Sequence, residues 1–344
     1  NWSLGVVPST ASKDVLIPRK VENSCTYSTE STNGVSMKDL WIQDGATFNA
    51  GTKSHSISGD FTNNGTFNSS TGIVTMSGTG AQAINGSAAT SFYNYTNKNI
   101  STGVTLGVAT TIQNTFTLSS GILDASSFNL ILPAAGTVVG GEDESHVKGT
   151  MLKTTAATSK FTFPLGDGTQ YKSIAITPSG TGSTVWTAEY FLQANDPLDV
   201  TLDASGDPNT GSGDLDHVST YEYWDLDRTS GTMNAKVELA WVANNAVLAV
   251  ADLRLAHFDG TDWDLIVSSP VGVDASGVIA SSGAEEYVST FSPFTLGSSS
   301  STNVLPIELV AFYGDKKQYS NILNWTTASE INNDYFTIEK SYNG

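Results

Sequence analysis

Cysteine is all but missing: Cys25 is the only one in 344 residues, so no disulfide can form within the chain. A lone cysteine suits a reducing compartment, and it equally suits bacterial exported proteins built on long β architectures. Charge is scarce too. Charged residues make up 15%, against about 25% in an average globular domain. Lys and Arg number 16 against 34 Asp and Glu, for a net charge of −18. So few cations build no basic face, which argues against nucleic acid or an anionic membrane surface as partner. No apolar run approaches the ~20 residues of a membrane-spanning helix. No stretch keeps apolar residues at i, i+3, i+4 and i+7 over three turns, which excludes helix as the main element. Asn1-Trp2-Ser3 offers neither the charged nor the apolar region of a signal peptide. The expectation is a mature chain or a fragment, because Ser341-Tyr342-Asn343-Gly344 reads as the middle of a domain.

Gly, Ser, Thr and Asn take up the space, and they favour turns and strands over helices. The predicted class is all-β. Residues 56–132 carry short apolar pulses separated by small polar residues. Ser56-Ile57-Ser58-Gly59-Asp60-Phe61 overlays Thr111-Ile112-Gln113-Asn114-Thr115-Phe116 at an offset of 55, matching Ile57 with Ile112 and Phe61 with Phe116. Further pulses lie between the copies, at Ile73-Val74-Thr75-Met76 and Phe92-Tyr93-Asn94-Tyr95. Degenerate strand-length repeats mark a chain that coils and stacks on itself. The expected fold for residues 1–140 is a right-handed parallel β-helix, with Trp2 capping its first coil. An antiparallel sandwich is the competing arrangement, but it wants clean two-residue turns that this stretch lacks.

The remainder is more acidic. Residues 1–140 hold 6 Lys/Arg and 7 Asp/Glu, whereas residues 141–303 hold 7 and 22. Residues 145–298 have longer alternating strands bounded by Gly, Asp and Pro, as in a β-sandwich. Trp186, Trp224 and Trp241 are assigned to its core, and Trp263, inside Asp259-Gly260-Thr261-Asp262-Trp263, is expected to show its ring to solvent. Ser299-Ser300-Ser301-Thr302-Asn303 reads as a linker. Residues 304–344 supply three strands, the start of a fibronectin type III-like module that leaves a face and an edge bare.

Two stretches of that module carry a resemblance. Leu305-Pro306-Ile307-Glu308-Leu309 and Leu323-Asn324-Trp325-Thr326-Thr327-Ala328-Ser329-Glu330-Ile331-Asn332-Asn333, followed by Phe336-Thr337-Ile338-Glu339-Lys340, resemble a module of large secreted Bacteroidetes proteins. The module precedes the sorting domain read by the type IX secretion system. Gly59-Asp60-Phe61-Thr62-Asn63-Asn64-Gly65-Thr66-Phe67 and Phe163-Pro164-Leu165-Gly166-Asp167 are similar to the same proteins. The resemblance implies an adhesin-like chain, extracellular or at the cell surface.

The sequence is poor in catalytic signals. His55, His146, His217 and His257 form no His-x-x-x-His or Glu-x-x-His pair, so zinc is not expected. Neither a Gly-x-Ser-x-Gly elbow nor a P-loop occurs. The coiled region offers Asp39, Asp44, Asp60 and Asp124, too sparse for an acid–base pair. Glu142-Asp143-Glu144 reads as a solvated loop before a metal feature. One dense oxygen set, Asp203, Asp207, Asn209, Asp214 and Asp216, has the ligand chemistry for Ca²⁺ without EF-hand spacing. The same stretch also reads as a plain acidic loop. Function is therefore expected to be non-enzymatic: an adhesin or a filament subunit that contacts glycans, surfaces or like chains, with homo-assembly through residues 304–344. The alternative is a polysaccharide-binding or polysaccharide-degrading protein, with Trp263, or Tyr93 and Tyr95, stacking on sugar rings.

Overall fold

The computed structural model describes residues 11–19, 25–26, 34–192, 215–219, 221–242, 245, 247–260, 263–273, 276–283, 286–291, 293–300, 303, 309–317 and 321–327. The protein is all-β, with 60% of residues in strands and 2% helical, and it contains a β-solenoid of about 6 turns. Trp2 lies outside the described residues.

Three faces of parallel strands build the solenoid. The first stacks Val15–Ile17, Leu40–Ile42, Phe61–Asn63, Gln82–Asn85, Val104–Leu106 and the start of Leu123–Leu132. The second stacks Cys25–Thr26, Thr47–Asn49 and Thr66–Asn68. It continues through Thr110 and Thr111, which pair with Leu130 and Ile131. The third stacks Ser36–Met37, Ser54–Ile57, Ile73–Met76, residues 94–97, residues 115–117 and Thr137–Val139. Each turn therefore visits the faces in the order first, second, third. Paired positions on successive turns are 19 to 25 residues apart, as in Val104↔Leu123 and Val15↔Leu40.

Alternation explains the burial. In Leu40–Ile42 and Phe61–Asn63 the outer two residues point inward and the middle one outward. Successive strand side chains face opposite sides, so every turn delivers its apolar residues to the same interior column. The columns are rich in aromatics. Phe61 meets Phe67 and Phe92 edge-on, each at 5.1 Å, and Tyr95 lies 5.2 Å from Phe92 and 5.9 Å from Phe116. These are the offset and edge-to-face separations that aromatic quadrupoles favour.

Corners need tight backbone and internal acceptors. Gly121 sits at φ +76°, and a Cβ there would come within 2.1 Å of the Asn99 carbonyl on the preceding turn, so only glycine fits. Polar side chains satisfy the backbone groups that the corners free. The Asp39 carboxylate accepts the Asp60 N–H at 2.7 Å, and the Asp60 carboxylate accepts the Ala83 N–H at 2.8 Å. Buried Asn99 donates to the Gly80 carbonyl at 2.7 Å and accepts from Ser101 and Gly103 N–H at 2.9 and 3.0 Å. Buried polar groups paired in this way avoid the desolvation penalty of an unsatisfied group.

The 55-residue overlay does not superimpose equivalent positions. Ile57 and Ile112 lie on the third and second faces, and Phe61 and Phe116 on the first and third. The offset spans two turns plus two faces. All three faces share one inward-apolar, outward-polar pattern, so the sequence overlay locks onto the pattern and misses the face.

Strand Val147–Thr155 ends the parallel stack. One edge pairs in parallel with Leu123–Leu132, and Met151 to Thr155 pair antiparallel with Ala188 to Thr184. Contacts divide the chain into two compact units: Asn1–Phe191 with Trp224–Glu238 and Tyr287–Ser292, and Leu192–Tyr223 with Leu239–Glu286 and Pro293–Gly344. In the first unit, buried Trp186 donates Nε1–H to Thr155 Oγ1 at 2.8 Å, and buried Trp224 donates to the Lys172 carbonyl at 2.9 Å. In the second unit, His217–Val218 and Leu253–Phe258 pair antiparallel with Phe294–Ser298, Trp263–Ile266 pairs antiparallel with Leu253–Phe258, and Ser268–Val273 pairs with Ser276–Ser281. Its core gathers Leu215, Val218, Ala256 and Trp263. Buried Asn303 accepts from Leu248 and Ala249 N–H at 2.8 and 2.7 Å. Leu309–Lys316 and Asn321–Thr327 form a further antiparallel hairpin.

Candidate contact surface

The outward positions of the third face fall into rows. Ser36, Ser56, Thr75, Thr96 and Thr117 are in register on successive turns. Neighbouring strands lie about 4.8 Å apart, so these hydroxyls repeat at that interval along the stack. Ser56 Oγ lies 2.7 Å from Ser77 Oγ. The Thr75, Thr96 and Thr117 hydroxyls have no hydrogen-bond partner among the described residues. All three side chains are half-buried, with the hydroxyl left for whatever meets the face. A second row, Ser54, Ile73, Asn94, Thr115 and Thr137, runs beside it.

The first face carries a different feature. Trp41 is 50% exposed and Leu16, in register with it on the preceding turn, is 51% exposed. Beside Trp41 lies a shallow cavity of about 500 Å³ lined by Arg19, Trp41, Gln43, Asp44, Asn64 and Ser87. The Arg19 guanidinium stands 3.8 Å from the Asp44 carboxylate. Gln43 Oε1 accepts the Arg19 N–H at 3.0 Å, and Asn64 Oδ1 accepts both the N–H and the hydroxyl of Ser87, at 2.9 and 3.2 Å. Trp41 belongs to the pulse Leu40-Trp41-Ile42. Period-two alternation in that pulse is the signal that places its ring outside, because Leu40 and Ile42 take the inward positions.

The aromatics chosen from sequence behave otherwise. Trp263 is only 5% exposed and packs 5.4 Å from Phe258; its turn-like surroundings hid a strand start. Tyr95 is 1% exposed inside the solenoid column, and Tyr93 points the other way and is half-buried. Trp186, Trp224 and Trp241 are core residues as expected.

Several candidate chemical groups are occupied structurally. His55 accepts the Val35 N–H on Nδ1 at 3.3 Å and donates Nε2–H to the Ala50 carbonyl at 2.7 Å. His146 donates Nδ1–H to the Glu142 carbonyl at 3.1 Å and accepts the Gly168 N–H on Nε2 at 2.9 Å. Those partners fix one neutral tautomer for each ring. Burial pushes both imidazoles below the ordinary histidine value, against the smaller upward pull of the carbonyls. Asp143 accepts the Tyr171 N–H at 2.8 Å, and Asp124 accepts the Ser126 N–H at 2.9 Å. Lys153 is buried, with Nζ donating to the carbonyls of Pro133, Ala134 and Gly136 at 2.7, 3.2 and 2.5 Å, 4.9 Å from the centre of the Phe161 ring.

Of the calcium set, Asp203, Asp207, Asn209 and Asp214 lie outside the described residues. Asp216 is described, and its carboxylate stands 3.1 Å from His217 Nδ1. Among the described residues no group of three or more His, Cys, Asp or Glu is placed to hold a metal. Among them, too, no helix is long and apolar enough to cross a membrane. No family model, curated protein or solved structure matches the chain. The class is therefore set by the fold alone: a β-solenoid protein.

Proposed function

We propose that the chain is a non-enzymatic extracellular surface protein, an adhesin or filament subunit, whose solenoid is a stiff rod with a contact face. The single observation behind this reading is the in-register row Ser56, Thr75, Thr96 and Thr117, with three threonine hydroxyls that have no partner among the described residues. Repeated hydroxyls on a rigid backbone meet a repeating partner without first being ordered, which lowers the entropic cost of binding. Glycans, solid surfaces and like chains all offer such repetition.

The finer architecture belongs to the same proposal. The coil is right-handed, the hand that strand crossovers take. Residues 145–298 form a β-sandwich, and the Leu309–Lys316 and Asn321–Thr327 hairpin opens a fibronectin type III-like module. That hairpin exposes Phe312, Tyr313, Ile322 and Trp325, apolar surface suited to a second copy. The resemblance to type IX-exported Bacteroidetes proteins supports the extracellular location.

Adsorption and sedimentation test the proposal together. The chain is expected to adsorb to glycan-coated or cell surfaces, or to self-associate at micromolar concentration. A chain that sediments as a monomer and adsorbs to neither surface overturns it.

A further inference from the structure

We propose that the groove beside Trp41 binds a segment of neutral polysaccharide, with the C–H face of a pyranose ring laid on the indole. The proposal rests on the reading of the chain as a glycan-contacting surface protein and supplies that reading with a site.

The exposure of Trp41 is built in by the strand pleat. Its neighbours Leu40 and Ile42 are buried, as are Val15 and Ile17 around Leu16. Leu16 and Trp41 therefore form an outward apolar step two turns long, whereas the next two turns place Thr62 and Asn85 in that register. This apolar step keeps surface in water that a ligand would cover. A pyranose with equatorial hydroxyls has a face made only of C–H groups, which matches an indole plane.

The rim supplies the polar half. The side-chain oxygens of Gln43 and Asn64 are already used as acceptors, so their amino groups are the donors these two residues offer. Neither amino group has a partner among the described residues. Arg19 and Asp44, 3.8 Å apart and with side chains 75% and 77% exposed, form a weak solvated pair. They add further donors and one carboxylate acceptor. Sugar hydroxyls donate and accept at once, so they satisfy such a mixed rim. The groove is shallow and open, which suits the side of a chain over an enclosed small molecule.

Charge selects a neutral glycan. Among the described residues that line the groove the one cation, Arg19, faces Asp44, so a uronate or sulfate group finds no unpaired cation there.

The test is calorimetric titration of the intact chain with cellohexaose, laminarihexaose, xylohexaose and chitohexaose, with hexagalacturonate as the anionic probe. At least one neutral hexamer is expected to bind, and hexagalacturonate at least about tenfold more weakly. Trp41→Thr copies the residue in register on the next turn, so it keeps the strand and the melting temperature. It is expected to weaken binding about tenfold or more, while Trp41→Phe stays within about threefold. No binding by any neutral hexamer up to ~10 mM, unchanged binding by Trp41→Thr, or preference for the anionic hexamer overturns the proposal. Adsorption to glycan-coated surfaces is measured alongside. Adsorption without Trp41-dependent binding in solution overturns the groove and leaves the surface reading standing; loss of both in a chain that also sediments as a monomer overturns both.

Discussion

The ring of Tyr95 lies 5.9 Å from that of Phe116, the residue in register with it on the next turn of the solenoid. The Tyr95 hydroxyl is buried in the column and has no hydrogen-bond partner among the described residues. Burial accordingly pushes its pKa upward. An unsatisfied buried hydroxyl costs about 1–3 kcal/mol. Tyr95→Phe is therefore expected to leave stability unchanged or raise it by about 1 kcal/mol in urea denaturation. A loss of more than ~1 kcal/mol would show that the hydroxyl has a partner.

Phe61 tests the column itself. It touches Phe67 and Phe92 edge-on and is fully buried. Phe61→Ala should cost about 3–5 kcal/mol through lost transfer energy and the cavity left behind. A cost below ~1 kcal/mol would mean that the ring does not sit between turns.

Much of this was legible before any coordinates. Strand-length pulses divided by Gly, Asn and Ser announce a solenoid, because each turn needs inward apolar residues and tight polar corners. The turn length was not legible. Corner segments vary enough that paired positions drift between 19 and 25 residues, and the three faces share one alternation. The outward position of Trp41 was there to be read in Leu40-Trp41-Ile42, whereas Trp263 misled because Asp259-Gly260 signals a turn just before a buried strand. Internal partners were not readable at all. Nothing in the order of residues says that His146 bonds Glu142 and Gly168, or that Asn303 in a Ser-rich run is buried.

The two buried imidazoles set a pH dependence. Desolvation holds His55 and His146 neutral, with folded pKa values below the unfolded one. The stability they contribute is complete above about pH 6.5 and is lost as pH falls from there through the folded values. The melting temperature should fall between about pH 6.5 and pH 5. His55→Gln with His146→Gln should flatten that slope, and equal slopes in both proteins would contradict the assignment.

Lys153 closes the loop at residues 133–136 by donating to three of its carbonyls. Burial lowers its pKa to about 8, which still leaves an ammonium at neutral pH. Lys153→Met keeps the apolar stem and removes the donors, so it should cost about 2 kcal/mol. Denaturant melts at pH 7 measure this, and a neutral substitution would show that solvent replaces the lysine.

The contact face is tested most directly by removing its hydroxyls without changing its shape. Thr75→Val, Thr96→Val and Thr117→Val together keep the β-branched side chains and the register of the row. Adsorption isotherms of this triple variant and the unsubstituted chain on the same glycan-coated surface decide the matter. A fall in surface affinity of about tenfold, with an unchanged melting temperature, is the predicted result. Superimposable isotherms would contradict the account.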